Sequence, residues 1–495
     1  MHKLFKFLVK YKYEILLTLF SFILLYYFKK SFPVTWDDFR YIEKIYLHER
    51  SNLLLGRPGF VYFFMAIWDI LRTLFNLSIF EFHHVVRLFN IAFGSLTVLF
   101  LYLTVKKIFK NDLIAMGSAL IFLFSMDFIR FNSYIITEPM MLFFVILSFY
   151  FYTVAFEKKK PIYLYLSAFL FGYAFEVHEP ALFFILFFPA FYICKKDLKI
   201  FSSKNYLVFV AIMLITALSG PLLIYLNEGQ GYIESIAHVL SMDKTLTLSS
   251  SINSFSPLFT EKVAYAYNLL RSDFGCPSLL FALLGAFVLL FKKRYKELLI
   301  VLSLFVPDII FTFYANGTTR YFISGYFALS MLASVFLFYL TAGICRSLNI
   351  SKYRKHVFFL FLFVLLCFNF INFHNLWVNE ANYTKHLESL GLNLTKNFPA
   401  ENTVFLLGDE KSPLIDYYLV LSNSKQEVIC SGWEWPSQKL NETIMNYLSE
   451  NKTIVVDTNL SQFSIEEQRE EMEQLISSYE LENASMGLFI IKEKS

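Results

Sequence analysis

The chain has 495 residues, of which 56% are hydrophobic and 19% aromatic, and its formal net charge at neutral pH is +4. This composition excludes an intrinsically disordered chain and argues against a soluble globular protein. The clustered basic residues sit in short loops beside the apolar stretches rather than on one face, which also argues against a nucleic-acid partner. Apolar stretches of the roughly 17–25 residues that a helix needs to cross a bilayer recur, and they predict a polytopic α-helical membrane protein.

Eleven apolar stretches predict transmembrane helices, and the first follows a basic N-terminus. No small-residue cleavage site follows Phe28, so we expect this first stretch to be an uncleaved span rather than a secretory signal. The expected spans cover residues 13–30, 82–105, 112–130, 138–156, 161–177, 180–194, 205–226, 276–291, 298–314, 322–341 and 356–376.

The segment 58–76 is also apolar, but it carries Asp69 and Arg72. Each of these charges would be costly in the middle of a bilayer. We therefore expect an amphipathic helix at the outer membrane interface here, and a second short one over residues 36–50.

Basic residues cluster in alternate loops between the expected spans. The clusters begin at Lys3, Lys106, Lys158, Lys195, Lys292 and Arg346. Because cytoplasmic loops of membrane proteins carry the excess of lysine and arginine, all six clusters are assigned to the cytoplasm. The sequence therefore predicts a multi-pass protein of the cell membrane with a cytoplasmic N-terminus and an extracytoplasmic C-terminal part.

The segment after residue 376 alternates short apolar runs with helical patterns. Strands are expected at 403–408, 427–430, 453–457, 479–483 and 487–492, the last two as a hairpin-like pair, and helices at 413–421, 436–448 and 464–478. This alternation predicts a small α/β domain, 377–495, with a mainly parallel sheet, following a transmembrane module, 1–376. Six Asn-x-Ser/Thr sequons between Asn382 and Asn483 fit either chance or N-glycosylation.

Polar residues gather at the span ends and loops assigned to the outer side. Two adjacent acids, Asp37 and Asp38, follow the first span, and the others are Arg40, Arg57, Arg130, Asn132, Glu138, Glu176, His178, Glu179, Arg320 and Tyr321. Carboxylates beside cations suit group transfer from an anionic lipid, because a carboxylate can take a proton from the acceptor while cations stabilise the phosphate that leaves. A proton-driven transporter would instead tend to place acids near the bilayer midplane.

These residues lie in a series of short motifs that resembles the GT-C superfamily of lipid-phosphate-sugar glycosyltransferases, especially its protein mannosyltransferase and aminoarabinose transferase branch. The resemblance covers about residues 10–345. Residues 37–41 (DDFRY) match a D-E-A-R-Y-like motif, residues 57–59 (RPG) match a K-P-P motif, and residues 87–90 (RLFN) match an R-L-P-S motif. Residues 172–180 (GYAFEVHEP) match a G-L-A-x-x-T-K-G-P motif, and residues 320–321 match an R-Y motif. Arg130 and Thr137-Glu138 match an arginine and a later acid that follows a threonine.

The resemblance implies roles for the matching residues. Asp37 would be the general base of an inverting attack, Asp38 would orient the acceptor or hold a cation, and Glu138 would be the second acidic position. The lipid phosphate would be held by Arg57, His178, Arg320 and Tyr321, with help from Arg130. His178 departs from the family, since it titrates near neutrality where the motif has a permanent cation. No ligand spacing requires a metal, although two or three carboxylates would suit Mg²⁺ or Mn²⁺.

Other interpretations stay open at this point. Asp37, Asp38 and Glu138 also suit solvated or helix-capping positions, and Arg57 and Arg320 suit anchors at the lipid headgroups. The implied partners are membrane lipids, a polyprenyl- or dolichyl-phosphate-linked sugar, and a protein, lipid or glycan acceptor. Two alternatives compete with this function: an oligosaccharyltransferase-like enzyme, whose WWDYG-like motif the sequence lacks, and a non-catalytic transporter or assembly factor for lipid-linked sugars.

Overall fold

A computed structural model of the protein describes most of the chain and divides it into two compact units. The described residues are 11–29, 36–48, 57–77, 79–195, 204–228, 268, 270–271, 274–314, 323–397, 403–407, 427–430, 440–457, 470, 473–474, 477–485 and 488–492. The first unit comprises Met1–Lys29, Glu49–Asp69 and Val85–Trp377, and the second comprises Lys30–His48, Ile70–His84 and Val378–Ser495.

Most of the described chain up to residue 397 is helical. In chain order the helices are α1 (Lys12–Tyr27), α2 (Trp36–Leu47), α3 (Pro58–Phe75), α4 (Ile79–Phe109), α5 (Asp112–Leu123), α6 (Met126–Ser133), α7 (Glu138–Lys158), α8 (Pro161–Val177), α9 (Phe187–Lys195), α10 (Lys204–Glu228), α11 (Cys276–Phe291), α12 (Tyr295–Tyr314), α13 (Ile323–Ser347) and α14 (Arg354–Asn397). Two 3-10 helices, Glu179–Phe184 and Ser351–Tyr353, precede α9 and α14.

Each expected span coincides with helical structure, but two of them are interrupted. The span expected at 112–130 is the pair α5 and α6, which meet at a bend of 58°. The span expected at 180–194 is a 3-10 helix followed by α9. Pro189 explains the second interruption, because proline is accepted in the first turn of α9 but not inside a longer continuous helix.

Six described helices are long and apolar enough to cross a membrane, or seven if the bent pair counts as one span. Two shorter apolar helices, α8 and α11, add to these. The chain is therefore a multi-pass helical membrane protein, whereas the full count of eleven spans stays a prediction. One of the six is α3, so its expected interfacial position also stays a prediction, resting on Asp69 and Arg72 in its second half.

Small residues let the helices of the first unit approach closely. The hydroxyl of Ser148 in α7 lies 2.8 Å from the carbonyl oxygen of Ser167 in α8. Ser334 in α13 donates to the carbonyl of Ile114 in α5 at 2.8 Å. A Cβ on Gly285 in α11 would lie 1.9 Å from the Leu332 carbonyl oxygen in α13. Close backbone approach of this kind is typical of helix packing in membranes.

The second unit contains a five-stranded sheet. Its strands are β1 (Thr403–Leu407), β2 (Glu427–Cys430), β3 (Thr453–Asp457), β4 (Glu480–Ser485) and β5 (Leu488–Lys492), in the order β2-β1-β3-β5-β4, with the helix α15 (Leu440–Ser449) before β3. These positions lie close to the expected strands. The helix expected at 413–421 and most of the one expected at 464–478 lie outside the described residues.

The sheet is mixed rather than mainly parallel. Strand β1 pairs with β2 and β3 in parallel, whereas β5 pairs with β3 and β4 in antiparallel orientation. The antiparallel half arises because the chain turns back directly between β4 and β5, which a parallel pair could not do. Val404, Ile454 and Val456 of the strands pack with Ile444 of α15 and Ile491 in a small core.

Candidate active site

Asp37 and Asp38 lie in the first turn of α2, in the second compact unit. The N-terminal turn of a helix is a favourable place for carboxylates, because the helix dipole is positive there. The side chain of Asp38 is fully buried, beside the buried Tyr41 and Ile42. A buried carboxylate is costly unless it is hydrogen-bonded or paired, so this position is more than a solvated loop acid. The side chain of Asp37 lies outside the described part of the structure.

Four side chains of the first unit form a linked series of charges. Nδ1 of His178 lies 3.9 Å from Oε1 of Glu138, and Nε2 of His178 lies 3.5 Å from Oε2 of Glu179. The same Glu179 oxygen lies 3.8 Å from Nε of Arg57. The structure thus brings together Glu138, His178 and Arg57 and places Glu179, another of the polar residues at the outer span ends, between them.

The backbone explains why Glu138 and His178 meet. Glu138 is the first residue of α7, and Pro139 fits the first turn, where its missing N–H is not needed. The short turn at Lys159 and Lys160 returns the chain as α8, so the start of α7 lies beside the end of α8. His178 follows α8 in an extended conformation, with its N–H donated to the carbonyl of Ala174 at 3.0 Å.

Arg57 is held at the start of α3 in an uncommon backbone conformation. Its φ is +33°, in the left-handed region where residues other than glycine are strained. Its carbonyl accepts the N–H of Phe60 at 3.1 Å, and the hydroxyl of Tyr173 in α8 donates to the carbonyl of Gly59 at 2.9 Å. These contacts join the start of α3 to α8 and set Arg57 beside Glu179.

Burial differs across the four charged residues. The side chains of Glu138 and His178 are each 1% exposed, whereas Arg57 and Glu179 are 22% and 25% exposed. With the imidazole protonated, two cations and two carboxylates give a cluster with no net charge. Both ring nitrogens of His178 face carboxylate oxygens, so Arg57 is the cation of this cluster that is open to solvent.

Arg130 lies close to the segment that leads into Glu138. Its Nε donates to the hydroxyl of Tyr134 at 3.0 Å. The side-chain amide of Asn90 in α4 donates to the carbonyls of Tyr134 and Ile136, at 3.0 and 3.1 Å. Asn90 therefore fixes the non-helical stretch between α6 and α7 and, through it, the position of Glu138.

Asp127 is a buried acid near this region that the sequence did not single out. It is fully buried at the start of α6, and its Oδ2 accepts a hydrogen bond of 3.0 Å from the hydroxyl of Tyr326 in α13. The ring of Phe274 stacks on that of Tyr326, with centroids 5.9 Å apart. The sequence feature that could have identified Asp127 is its position as an acidic residue inside the expected span 112–130. Arg320 and Tyr321 lie outside the described residues.

Within the described residues, no three His, Cys, Asp or Glu side chains are arranged to hold a metal ion. Glu138 and Glu179 do face each other across His178, but the imidazole occupies the space between them. A role for Mg²⁺ or Mn²⁺ therefore has no support from the described side chains.

Solved structures share this architecture over nearly the whole chain. ArnT from Cupriavidus metallidurans bound to undecaprenyl phosphate matches with a TM-score of 0.61 at 10% sequence identity, over 97% of this chain and 98% of that one. The oligosaccharyltransferase AglB from Archaeoglobus fulgidus, in complex with an inhibitory peptide and a dolichol-phosphate, matches with a TM-score of 0.56 at 11% identity, over 98% and 75%. The chain therefore shares its fold with these membrane-protein structures.

A comparison of the sequence with protein-family models gives a match over part of the chain. The family model of dolichyl-phosphate-mannose-protein mannosyltransferases matches residues 15–230. This range contains Asp37, Asp38, Arg57, Glu138 and His178, but not the sheet of the second unit. No curated protein sequence matches the chain.

Proposed function

We propose that the protein is an inverting glycosyltransferase that moves a sugar from a polyprenyl- or dolichyl-phosphate to an acceptor on the outer face of the membrane. Two likenesses support the donor class: the match to dolichyl-phosphate-mannose-protein mannosyltransferases, and the shared fold with structures that hold undecaprenyl phosphate or dolichol-phosphate. The single observation that carries the proposal is the linked series Glu138–His178–Glu179–Arg57.

The chemistry assigned to these residues balances as a simple displacement. Asp37 takes the proton of the acceptor hydroxyl, and the acceptor oxygen attacks the anomeric carbon. The bond from that carbon to the phosphate oxygen breaks, and the electron pair leaves with the lipid phosphate. Positive charge near the leaving group stabilises the developing negative charge, which is the role we give Arg57, with Arg320, Tyr321 and Arg130 assisting.

Three further residues, His178, Glu138 and Asp38, are given different roles. His178 lies between two carboxylates, so we assign it mainly to holding Glu138 in place rather than to direct phosphate contact. Glu138, buried at the start of α7, then provides a carboxylate in a fixed position at one side of the site. Asp38, buried in α2, would orient Asp37 or the acceptor.

The likeness to AglB raises an oligosaccharyltransferase-like reaction as a second candidate. The sequence of this chain lacks a WWDYG-like motif, and its two acids in the first loop are adjacent rather than spaced as D-x-D. We therefore favour transfer to a hydroxyl of a protein, lipid or glycan acceptor.

The proposal is tested by lipid-phosphate release. The purified full-length protein is incubated in lipid nanodiscs with a panel of polyprenyl- and dolichyl-phosphate sugars and candidate acceptors, and free lipid phosphate is measured. We expect release from at least one donor, and its loss in Asp37→Asn. A folded wild-type protein that releases none from any donor would contradict the transferase, and full release by Asp37→Asn would contradict the base assignment.

A further inference from the structure

Glu176 is a buried carboxylate in the last turn of α8 to which the proposed reaction gives no role. It lies two residues before His178, at a variable position of the motif. Its Oε1 accepts hydrogen bonds from the hydroxyl of Ser219, at 2.6 Å, and from the backbone N–H of Gly220, both in α10. A buried acid that takes two hydrogen bonds from one point of a neighbouring helix acts as a specific link between the two helices.

The point of α10 that Glu176 contacts is a weak point of that helix. Pro221 follows directly, lacks an N–H and crowds the preceding turn, so the helical hydrogen bonding is disturbed there. The Ser219 hydroxyl also lies 3.0 Å from the carbonyl oxygen of Thr216, the acceptor that the Gly220 N–H would have in a regular helix. Glu176 thus provides acceptors at a site where α10 has an irregular backbone.

The start of α3 packs into the same place. A Cβ on Gly220 would lie 2.3 Å from Cγ of Pro58 and 3.0 Å from Oε1 of Glu176. A Cβ on Gly59 would lie 3.0 Å from both the carbonyl carbon of Glu176 and the nitrogen of Val177. Neither glycine leaves room for a larger residue, so three helices meet around the Glu176 side chain.

We propose that Glu176 is a positioning residue that fixes the start of α3 and thereby keeps Arg57 beside Glu179. The chain of contacts is short: Glu176 holds Gly220, Gly220 packs on Pro58, and Pro58 adjoins Arg57. The strained backbone at Arg57 needs such external support, since a left-handed conformation persists only where its surroundings impose it. The inference rests on the proposed function in that Arg57 is the residue that binds the lipid phosphate.

The first test compares Glu176→Ala with Glu176→Gln in the full-length protein in nanodiscs. The glutamine oxygen can still accept both hydrogen bonds, whereas alanine cannot. Hydrogen–deuterium exchange is measured over residues 57–65, where the N–H groups of Phe60 and Val61 bond to the carbonyl of Arg57. We expect Glu176→Ala to raise exchange in this segment about tenfold or more, and Glu176→Gln to leave it within about twofold of the wild type.

The second test uses kinetics with the donor that the wild-type protein accepts. Because Arg57 would be misplaced rather than removed, Glu176→Ala should raise KM for the lipid-linked donor about tenfold and lower kcat less than about threefold, and Glu176→Gln should restore both. Gly220→Ala should reproduce the alanine phenotype by pushing on Pro58. Gly343→Ala is the matched control, because a Cβ there meets nothing within 4 Å.

The outcomes separate this inference from the proposed function. Raised exchange at 57–65 in Glu176→Ala, without transferase activity in the wild type, would support the positioning and overturn the transferase. Unchanged exchange at 57–65 in both Glu176→Ala and Gly220→Ala would overturn the positioning whatever the activity. If Glu176→Ala does not fold, Gly220→Ala and Glu176→Gln decide the matter by the same measurement.

Discussion

One carboxylate oxygen of Glu179 lies 3.8 Å from Nε of Arg57, and it joins the start of α3 to the residues that follow α8. The same oxygen faces His178, whose other ring nitrogen faces Glu138. A substitution of any one of these four side chains should therefore alter the interactions of the other three. Effects of double substitutions within the group should not add up from the single ones.

Substitution of Asp37 and of Asp38 should have unequal effects. Asp37→Asn removes the base and should lower kcat by about 10²–10⁴-fold, the usual contribution of general acid–base catalysis, without loss of folded protein. Asp38→Asn should reduce activity less. The measurement is lipid-phosphate release, and Asp112→Asn, which alters an exposed acid at the start of α5, is the matched control. Equal losses in both variants would refute the assignment of Asp37 alone as base.

Substitution of Arg57 should both weaken donor binding and slow the chemical step, because Arg57 is assigned to hold the phosphate and to stabilise the charge that develops on it. A hydrogen bond to a charged group contributes about 1.5–3 kcal/mol, so Arg57→Gln should raise KM for the donor by about tenfold or more. Arg57→Lys keeps the charge but not the fork of donors and should recover part of the loss. A normal KM in Arg57→Gln would show that the phosphate is bound elsewhere.

The pH profile should depend on His178. A protonated ring would balance the carboxylates of Glu138 and Glu179, which face its two nitrogens, so kcat/KM should fall as the pH rises through the range in which imidazoles lose their proton. In His178→Lys the cation persists through neutral pH, and this fall should disappear. A fall of the same size at the same pH in His178→Lys would assign it to another group.

Loss of Asn90 should destabilise the protein. In Asn90→Ala the carbonyls of Tyr134 and Ile136 each lose a buried donor, at a cost of about 1–3 kcal/mol for each group left without one. The variant should have a lower Tm in detergent and reduced activity, because Glu138 follows this segment. Asn205→Ala, which removes an exposed hydrogen bond to Tyr165, should have little effect on Tm.

The buried pair of Asp127 and Tyr326 should show coupling. Tyr326→Phe removes the donor to a fully buried carboxylate and should destabilise the protein by about 1.5–3 kcal/mol, the usual value of a hydrogen bond to a charged group. In an Asp127→Asn background, Tyr326→Phe should destabilise the protein less than it does in the wild type. A double-mutant cycle on thermal unfolding measures this, and additive effects would show that the two groups do not interact.

Features that depend on local pattern were predictable from the sequence. The bounds of α8 and α11 follow from the length of their apolar runs and from the prolines at their starts. The order of the strands along the chain followed from short apolar runs. The hairpin-like pair of β4 and β5 was also predicted, but the antiparallel pairing of β5 with β3 was not, because a buried run reads the same in a parallel and an antiparallel pair.

The candidate site was predictable only in part. Glu138, His178 and Arg57 were selected by motif, but the bridge through Glu179 depends on how α3 and α8 pack. Asp127 and Tyr326 are 199 residues apart in sequence, and no periodicity links residues at that separation. Tertiary packing determines such contacts, and it is not encoded in any one segment.

The left-handed backbone at Arg57 sets stability against the proposed function at this position. Arginine at a φ of +33° is less stable there than glycine, by about 1–2 kcal/mol for a left-handed conformation. Replacing Arg57 by glycine should therefore relieve strain while removing the proposed phosphate ligand. Selection for thermal stability alone would therefore favour Arg57→Gly, and the resulting protein would be more stable but inactive.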